Sequence, residues 1–280
     1  MKKVLLLALL LSLTACAAPP EEEPAAEVIA PVSPDSDTVK LGLAAAANIA
    51  KSMHATGDFP GYARTEMTFA AVLVDGGGVI RACAIDGISA SIPFDETGTL
   101  LLPNGTVFLS KTELGQDYGM HKASPLGTEW YQQAADFAAA CVGKTTADLQ
   151  GGDTVASVTI STDALLHAVT RAAESARADA LAGDTLLLTC RAAVTGSHAP
   201  LADGTPGLAC LRAAAAAAAI RGGAVTAEAG CAVVSAVPFT DEGRLACDIS
   251  PGLSPLSDVL TLTAITPREQ AELVEISLKN

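Results

Sequence analysis

The chain has 280 residues, 50% of them hydrophobic and 4% aromatic, with a formal charge of −14 at neutral pH. A surface that acidic repels phosphate, which excludes DNA, RNA and anionic lipid headgroups as electrostatic partners. The length allows one or two domains with real cores, and the alanine-rich, aromatic-poor make-up points to small-residue packing.

The N-terminus reads 1-MKKVLLLALLLSLTAC-16, with Lys2 and Lys3 ahead of an apolar run from Val4 to Leu13. That run is too short for a bilayer-spanning helix, and its charged front and small-residue end match an export signal, residues 1–15. Leu13-Thr14-Ala15-Cys16 resembles the bacterial lipobox, which implies cleavage before Cys16 and its acylation. Two lipid signals on one residue give stable anchoring where a single chain gives only marginal binding. The expected location is the cell envelope, lipid-anchored on the extracytoplasmic side of the membrane. Residues 16–36 are acidic and proline-rich and form a spacer.

Beyond Cys16 there are six cysteines: Cys83, Cys141, Cys190, Cys210, Cys231 and Cys247. An exported location permits disulfides, but sequence does not choose among the pairings, and the alternative is that the cysteines are buried as small hydrophobic side chains. The chain has no Cys-x-x-Cys, and His54, His121, His167 and His198 are scattered, so no metal or haem site is expected.

The body contains an incomplete internal repeat. The segment beginning 37-DTVKLGLAAAANIAK aligns with 184-DTLLLTCRAAVTG, matching Gly57 to Gly204, Pro60 to Pro206 and Gly61 to Gly207. Further on, Pro93-Phe94 aligns with Pro238-Phe239 in the same order. This suggests a first repeat domain over 37–183 and a second, truncated one over 184–280.

In the first copy, Thr65–Val74 and Val79–Ile85 should be strands joined at 75-DGGG-78, with another strand over Ser89–Phe94. A helix follows, capped by Ser124 with Pro125 at its first position. Trp130, Ala134, Phe137, Ala138 and Cys141 line its buried face, and Gly143 ends it. The β-branched run Val155–Ile160 then reads as a strand leading into a helix with Leu165, Ala168, Val169 and Ala172 inward. In the second copy the alanine run 213–219 is a poor strand former, but the alignment places it opposite a strand and it is read as one. A last strand over 258–265 and a helix over 267–279 close the chain. The fold class is α+β: two related antiparallel β-meander units, the first covered by two helices, the second truncated with one C-terminal helix.

Lys111, Glu113, Leu114, Gly115, Tyr118, Gly119, Met120, Lys122, Ser124, Glu129 and Trp130 form the run Lys-x-Glu-Leu-Gly-x-x-Tyr-Gly-Met-x-Lys-x-Ser followed by Glu-Trp. The run resembles a family of tandem-repeat bacterial cell-surface lipoproteins of unestablished function. Its layout is in turn similar to the FMN-binding domain of exported flavoproteins, whose Asp-x-x-Ser-Gly-Ala-Thr-x-Ser motif carries flavin on the threonine. That resemblance implies Asp153 at the acid position, Ser157 at the glycine, Thr159 as the attachment point and Ser161 as the last hydroxyl. The central Ser-Gly-Ala is replaced by Ala156, Ser157 and Val158, which would crowd a phosphate where glycine allows close approach.

The hydroxyls at 157–162 therefore have two readings. The first is that Ser161 or Thr162 caps the following helix. The alternative is that Thr159 carries FMN. The acid pairs Asp95-Glu96 and Asp241-Glu242 read as solvated turns, and His121 near Tyr118 has no accompanying nucleophile and base. The expected function is a non-catalytic, surface-tethered lipoprotein that binds an unknown ligand or protein partner, with no cofactor. The alternative is a flavinylated electron carrier.

Overall fold

The computed structural model describes residues 28–30, 38–49, 51–150, 157–181, 185–200, 204, 206–239 and 261–264. Its strands are β1 (Val28–Ala30), β2 (Thr38–Asn48), β3 (Gly61–Val74), β4 (Ile80–Phe94), β5 (Val107–Phe108), β6 (Ala178–Leu181), β7 (Thr185–Pro200), β8 (Pro206–Arg221), β9 (Ala224–Pro238) and β10 (Thr261–Ala264). Its helices are α1 (Lys111–Leu114), α2 (Trp130–Cys141), α3 (Thr146–Leu149) and α4 (Asp163–Ser175), with two short 3-10 turns between α1 and α2. The protein is mixed α+β, and the strand pairings among the described residues are antiparallel.

A 4-stranded sheet has the order β4-β3-β2-β6, and a 6-stranded sheet has β1-β7-β8-β9-β10 with β5 also on β7. The two sheets pack face to face. Leu41, Met67, Phe69, Leu73, Ile88 and Ile92 from the first meet Leu186, Leu188, Val194, Leu208, Leu211 and Val233 from the second in one apolar core. The period-2 alternation of a strand sends the intervening residues Ala44, Ala46, Ala70, Val72, Cys83 and Ile85 to the opposite face. There they meet Trp130, Ala134, Phe137 and Ala138 of α2 and Leu165, Ala168, Val169 and Ala172 of α4. The result is three layers, helices on sheet on sheet.

The β3–β4 turn forms where its sequence indicates. Asp75 Oδ1 accepts from Gly77 N (2.8 Å) and Val79 N (2.9 Å), and Gly78 takes φ 80°. The alanine run is strand, as the alignment requires: β8 pairs with β7 on one side and β9 on the other, so tertiary pairing overrides propensity.

Four local expectations are corrected. The two strands expected over 79–94 are one continuous β4, because pairing with β3 runs through Asp86 and Gly87. The helix expected from Ser124 starts at Trp130, where Gln132 Oε1 accepts from Glu129 N (2.9 Å). Residues 157–160 are not strand, since a side chain rather than a ladder holds them. Nor is there a side-chain cap on α4: Thr162 sits at the N-cap with helical φ and ψ, which removes the extended geometry a capping hydroxyl needs. The expected helix over 267–279 lies outside the described residues, as do Cys16 and Asp153.

Candidate functional site

Thr159 precedes α4 and is exposed, like Ser157 and Ser161. Its anchor is Gln133, a fully buried side chain on α2. Gln133 Oε1 accepts from Thr159 N (2.7 Å), Thr159 Oγ1 (3.1 Å) and Ile160 N (3.2 Å). The amide nitrogen donates to Ser124 Oγ (3.3 Å) and Thr128 Oγ1 (3.1 Å). One buried glutamine thus joins the turn before α2, α2 itself and the approach to α4. Sequence reasoning missed it. The available signal is that Gln133 stands three residues after Trp130, on the helix's apolar face, where an amide requires internal partners.

The run from Lys111 to Trp130 folds into a second polar cluster between the sheets and α2. Ser110 and Glu113 form a capping box that fixes the single turn of α1: Glu113 N donates to Ser110 Oγ (3.1 Å) and Ser110 N to Glu113 Oε2 (3.1 Å). From this turn two side chains leave in different directions. Lys111 Nζ reaches Glu66 Oε2 on β3 (3.0 Å) and lies over the rings of Trp130 (4.5 Å) and Tyr118 (5.2 Å). Glu113 takes Arg191 of β7 through both carboxylate oxygens, with Nε at 2.9 and 3.2 Å. A one-turn helix is therefore tied to both sheets.

Burial raises the pKa of the Glu66 carboxyl, but Lys111, the Ser89 hydroxyl (2.5 Å) and Lys51 outweigh it and hold the group below its ordinary value. Asp86, buried on β4, goes the other way. Its desolvation outweighs the Ser110 hydroxyl and the amides of Gly87 (2.7 Å) and Thr112 (3.2 Å), so its pKa is raised. Glu129 accepts from Met120 N (3.0 Å), His121 N (3.1 Å) and the His121 ring, pinning the 3-10 turns to the start of α2. For Glu129 too, burial raises the pKa and is outweighed, chiefly by the His121 side chain and amide, leaving it lowered. The run from Lys111 to Trp130 is thus tied down by internal pairs.

An open concavity of about 390 Å³ lies at the loop end of the first sheet, between the β2–β3 loop and the turn after β4. Asp58, Phe59, Pro60, Glu96 and Leu101 line it, with Phe59 73% and Leu101 53% exposed. Asp95 at its edge is engaged locally, its Oδ1 accepting from Thr97 N (2.9 Å), Thr97 Oγ1 (2.7 Å) and Thr99 N (2.9 Å). That is the geometry of an acid holding a turn. Nearby, the aligned residues Phe94 and Phe239 meet edge to face at 6.2 Å. Asp241 and Glu242 lie outside the described residues.

Among the described residues no group of His, Cys, Asp and Glu is arranged to hold a metal, and no helix is long and apolar enough to cross a membrane. Comparison of the chain with models of known families, with curated proteins and with solved structures gives no match.

Proposed function

We propose that the chain is a non-catalytic lipoprotein, anchored through Cys16 on the extracytoplasmic side of a bacterial envelope, whose sandwich binds a ligand or protein partner. The observation that carries this reading is where the polar side chains go. Lys111, Glu113 and Glu129 are spent on Glu66, Arg191 and His121, whereas Phe59 and Leu101 stand exposed around the concavity. Exposed large apolar side chains around a concavity favour binding. The body comprises two related antiparallel β-meander units, β2–β4 and β7–β9, fused back to back. The aligned Pro-Phe segments and the Phe94–Phe239 contact support that duplication.

A second reading stays beside the first because Thr159 is exposed and its backbone amide is held by Gln133. In that reading Thr159 carries FMN through a phosphoester and the protein relays electrons.

The test is the mass of the full chain made with its own leader in a bacterium that also exports a flavin transferase. An acylated N-terminal Cys16, lost with release from the membrane in Cys16→Ala, together with an unmodified Thr159 peptide, is the expected result. A Thr159 peptide heavier by FMN less water replaces the binding reading with the electron-carrier one. A chain that is never acylated removes the anchor.

A further inference from the structure

We propose that Cys83 and Cys141 are a disulfide-forming pair whose closure ties α2 to β4. Cys83 lies on the helix-facing side of β4 and Cys141 is the last residue of α2. Both sit as free thiols in the cluster under the helices, 3% and 1% exposed, close enough that each shifts the ionisation of the other. The main chain enforces the approach. Gly143 N donates to Ile80 O (2.8 Å) and Ile80 N to Lys144 O (2.9 Å), so the segment leaving α2 is pinned to the start of β4. Gly143, at φ 83°, makes the reversal that allows this.

The register excludes the pairings among Cys190, Cys210 and Cys231. Cys190 on β7 and Cys231 on β9 both stand opposite Ala215 of β8. They are therefore two strand spacings apart, about 9.5 Å, beyond the roughly 7 Å over which a disulfide closes. Cys210 is displaced along β8 from Ala215 by about 17 Å at strand rise, out of reach of both. Cys190 faces the core between the sheets, the side of β4 opposite to Cys83.

The oxidant is a low-molecular-weight disulfide. The Cys141 thiolate attacks one of its sulfurs, the oxidant's S–S bond breaks, and one thiolate leaves. Cys83 then gives its proton to water and attacks Cys141 Sγ, expelling the second thiolate. Two protein thiols are oxidised and one disulfide is reduced to two thiols. Cys141 is the natural first attacker, because the neighbouring Cys83 thiol, helped by Lys144, lowers its pKa, while the same contact and burial raise that of Cys83.

The test uses the full chain, reduced, freed of reductant, exposed to oxidised glutathione, alkylated in denaturant and mapped without reduction. The expected result is one linked peptide pair carrying Cys83 and Cys141, with Cys190, Cys210 and Cys231 alkylated. The melting midpoint should rise by roughly 5–10 °C on oxidation, and the rise should be absent in Cys141→Ala. Alkylated or glutathione-bound Cys83 and Cys141 after that exposure, or Cys83 linked elsewhere, overturns the pairing. If Cys141→Ala does not fold, Cys83→Ala serves as the control, and the peptide map decides without either variant.

Discussion

On the outer face of β2–β3–β4 lie α2 and α4, and β3 is buried without interruption from Met67 to Val74. The outer face of β8 is only partly covered: Ala216 and Ala218 are half-buried between the buried Ala215, Ala217 and Ala219. The two strands contribute alike to the core between the sheets, Phe69, Ala71 and Leu73 on one side and Ala213, Ala215 and Ala217 on the other. What differs is the second face. On the helix-covered sheet, Lys111, Glu129 and Gln133 are buried with internal partners, because covering a sheet with a polar-ended segment means satisfying that segment's polar groups internally.

The sharpest way to break the covered side is Lys111→Met, which leaves Glu66 without its main partner under Trp130. A loss of about 3 kcal/mol in urea unfolding is expected, and most of it should return when Glu66→Gln is added. If the single and double variants lose equally, the pair is not what holds α1 to β3.

Glycine substitutions compare the two sheets directly. A Cβ on Gly42 of β2 would stand 2.0 Å from Ala172 O, so α4 rests on β2 with no room for a methyl group. Gly196 of β7 has nothing within 4 Å. Gly42→Ala should cost about 1–3 kcal/mol by forcing α4 off the sheet. Gly196→Ala should be neutral or stabilise by up to about 1 kcal/mol through the unfolded chain. Equal effects would mean that α4 does not seat on Gly42.

Acid titration separates the carboxylates. The lowered pKa values of Glu66 and Glu129 supply stability that is present above their unfolded values, near 4.5, and lost as pH falls through the folded ones. Asp86 has the opposite sign: its raised pKa supplies stability below the unfolded 3.8 that is lost as pH rises through the folded value. Asp86→Asn removes the ionisation cost and keeps an oxygen for Gly87 and Thr112. Its melting midpoint relative to the parent chain should therefore be higher at neutral pH than below pH 3.8. A difference independent of pH would show that Asp86 does not titrate in the fold.

The legible parts were those set by local chemistry. The Asp75 turn, the apolar faces of α2 and α4 and the Asp95 turn follow from residue types a few positions apart. The β8 register was not legible from its own letters, since a run of alanines gives no alternation. Aligning the flanking glycines and prolines gave only that the run is a strand; its register is set by the pairing with β7 and β9. The site was legible as a cluster of residue types and illegible as a set of roles. Its contacts join Glu66 to Lys111, Glu113 to Arg191 and Gln133 to Thr159, all far apart in sequence. The same distance explains the two corrections around 124–130 and 157–160. Ser124 and Thr159 have the right chemistry for a helix cap and a strand, but Gln133 takes both.

Thr159→Val gives the smallest effect and the finest division between the clamp and the hydroxyl. The side chain is exposed and only one of the three bonds to Gln133 Oε1 comes from Thr159 Oγ1, the other two being main-chain amides that valine retains. A loss of about 0.5–1 kcal/mol is expected, the worth of one partly solvated hydrogen bond. Gln133→Ala, by contrast, removes the acceptor of the Thr159 and Ile160 amides and the donor to Ser124 and Thr128 at once, and should cost about 2–3 kcal/mol. If Thr159→Val costs as much as Gln133→Ala, the hydroxyl itself holds the approach to α4. A threonine so committed to structure would be a poor acceptor for any modification, which would weaken the flavin reading on energetic grounds before any mass is measured.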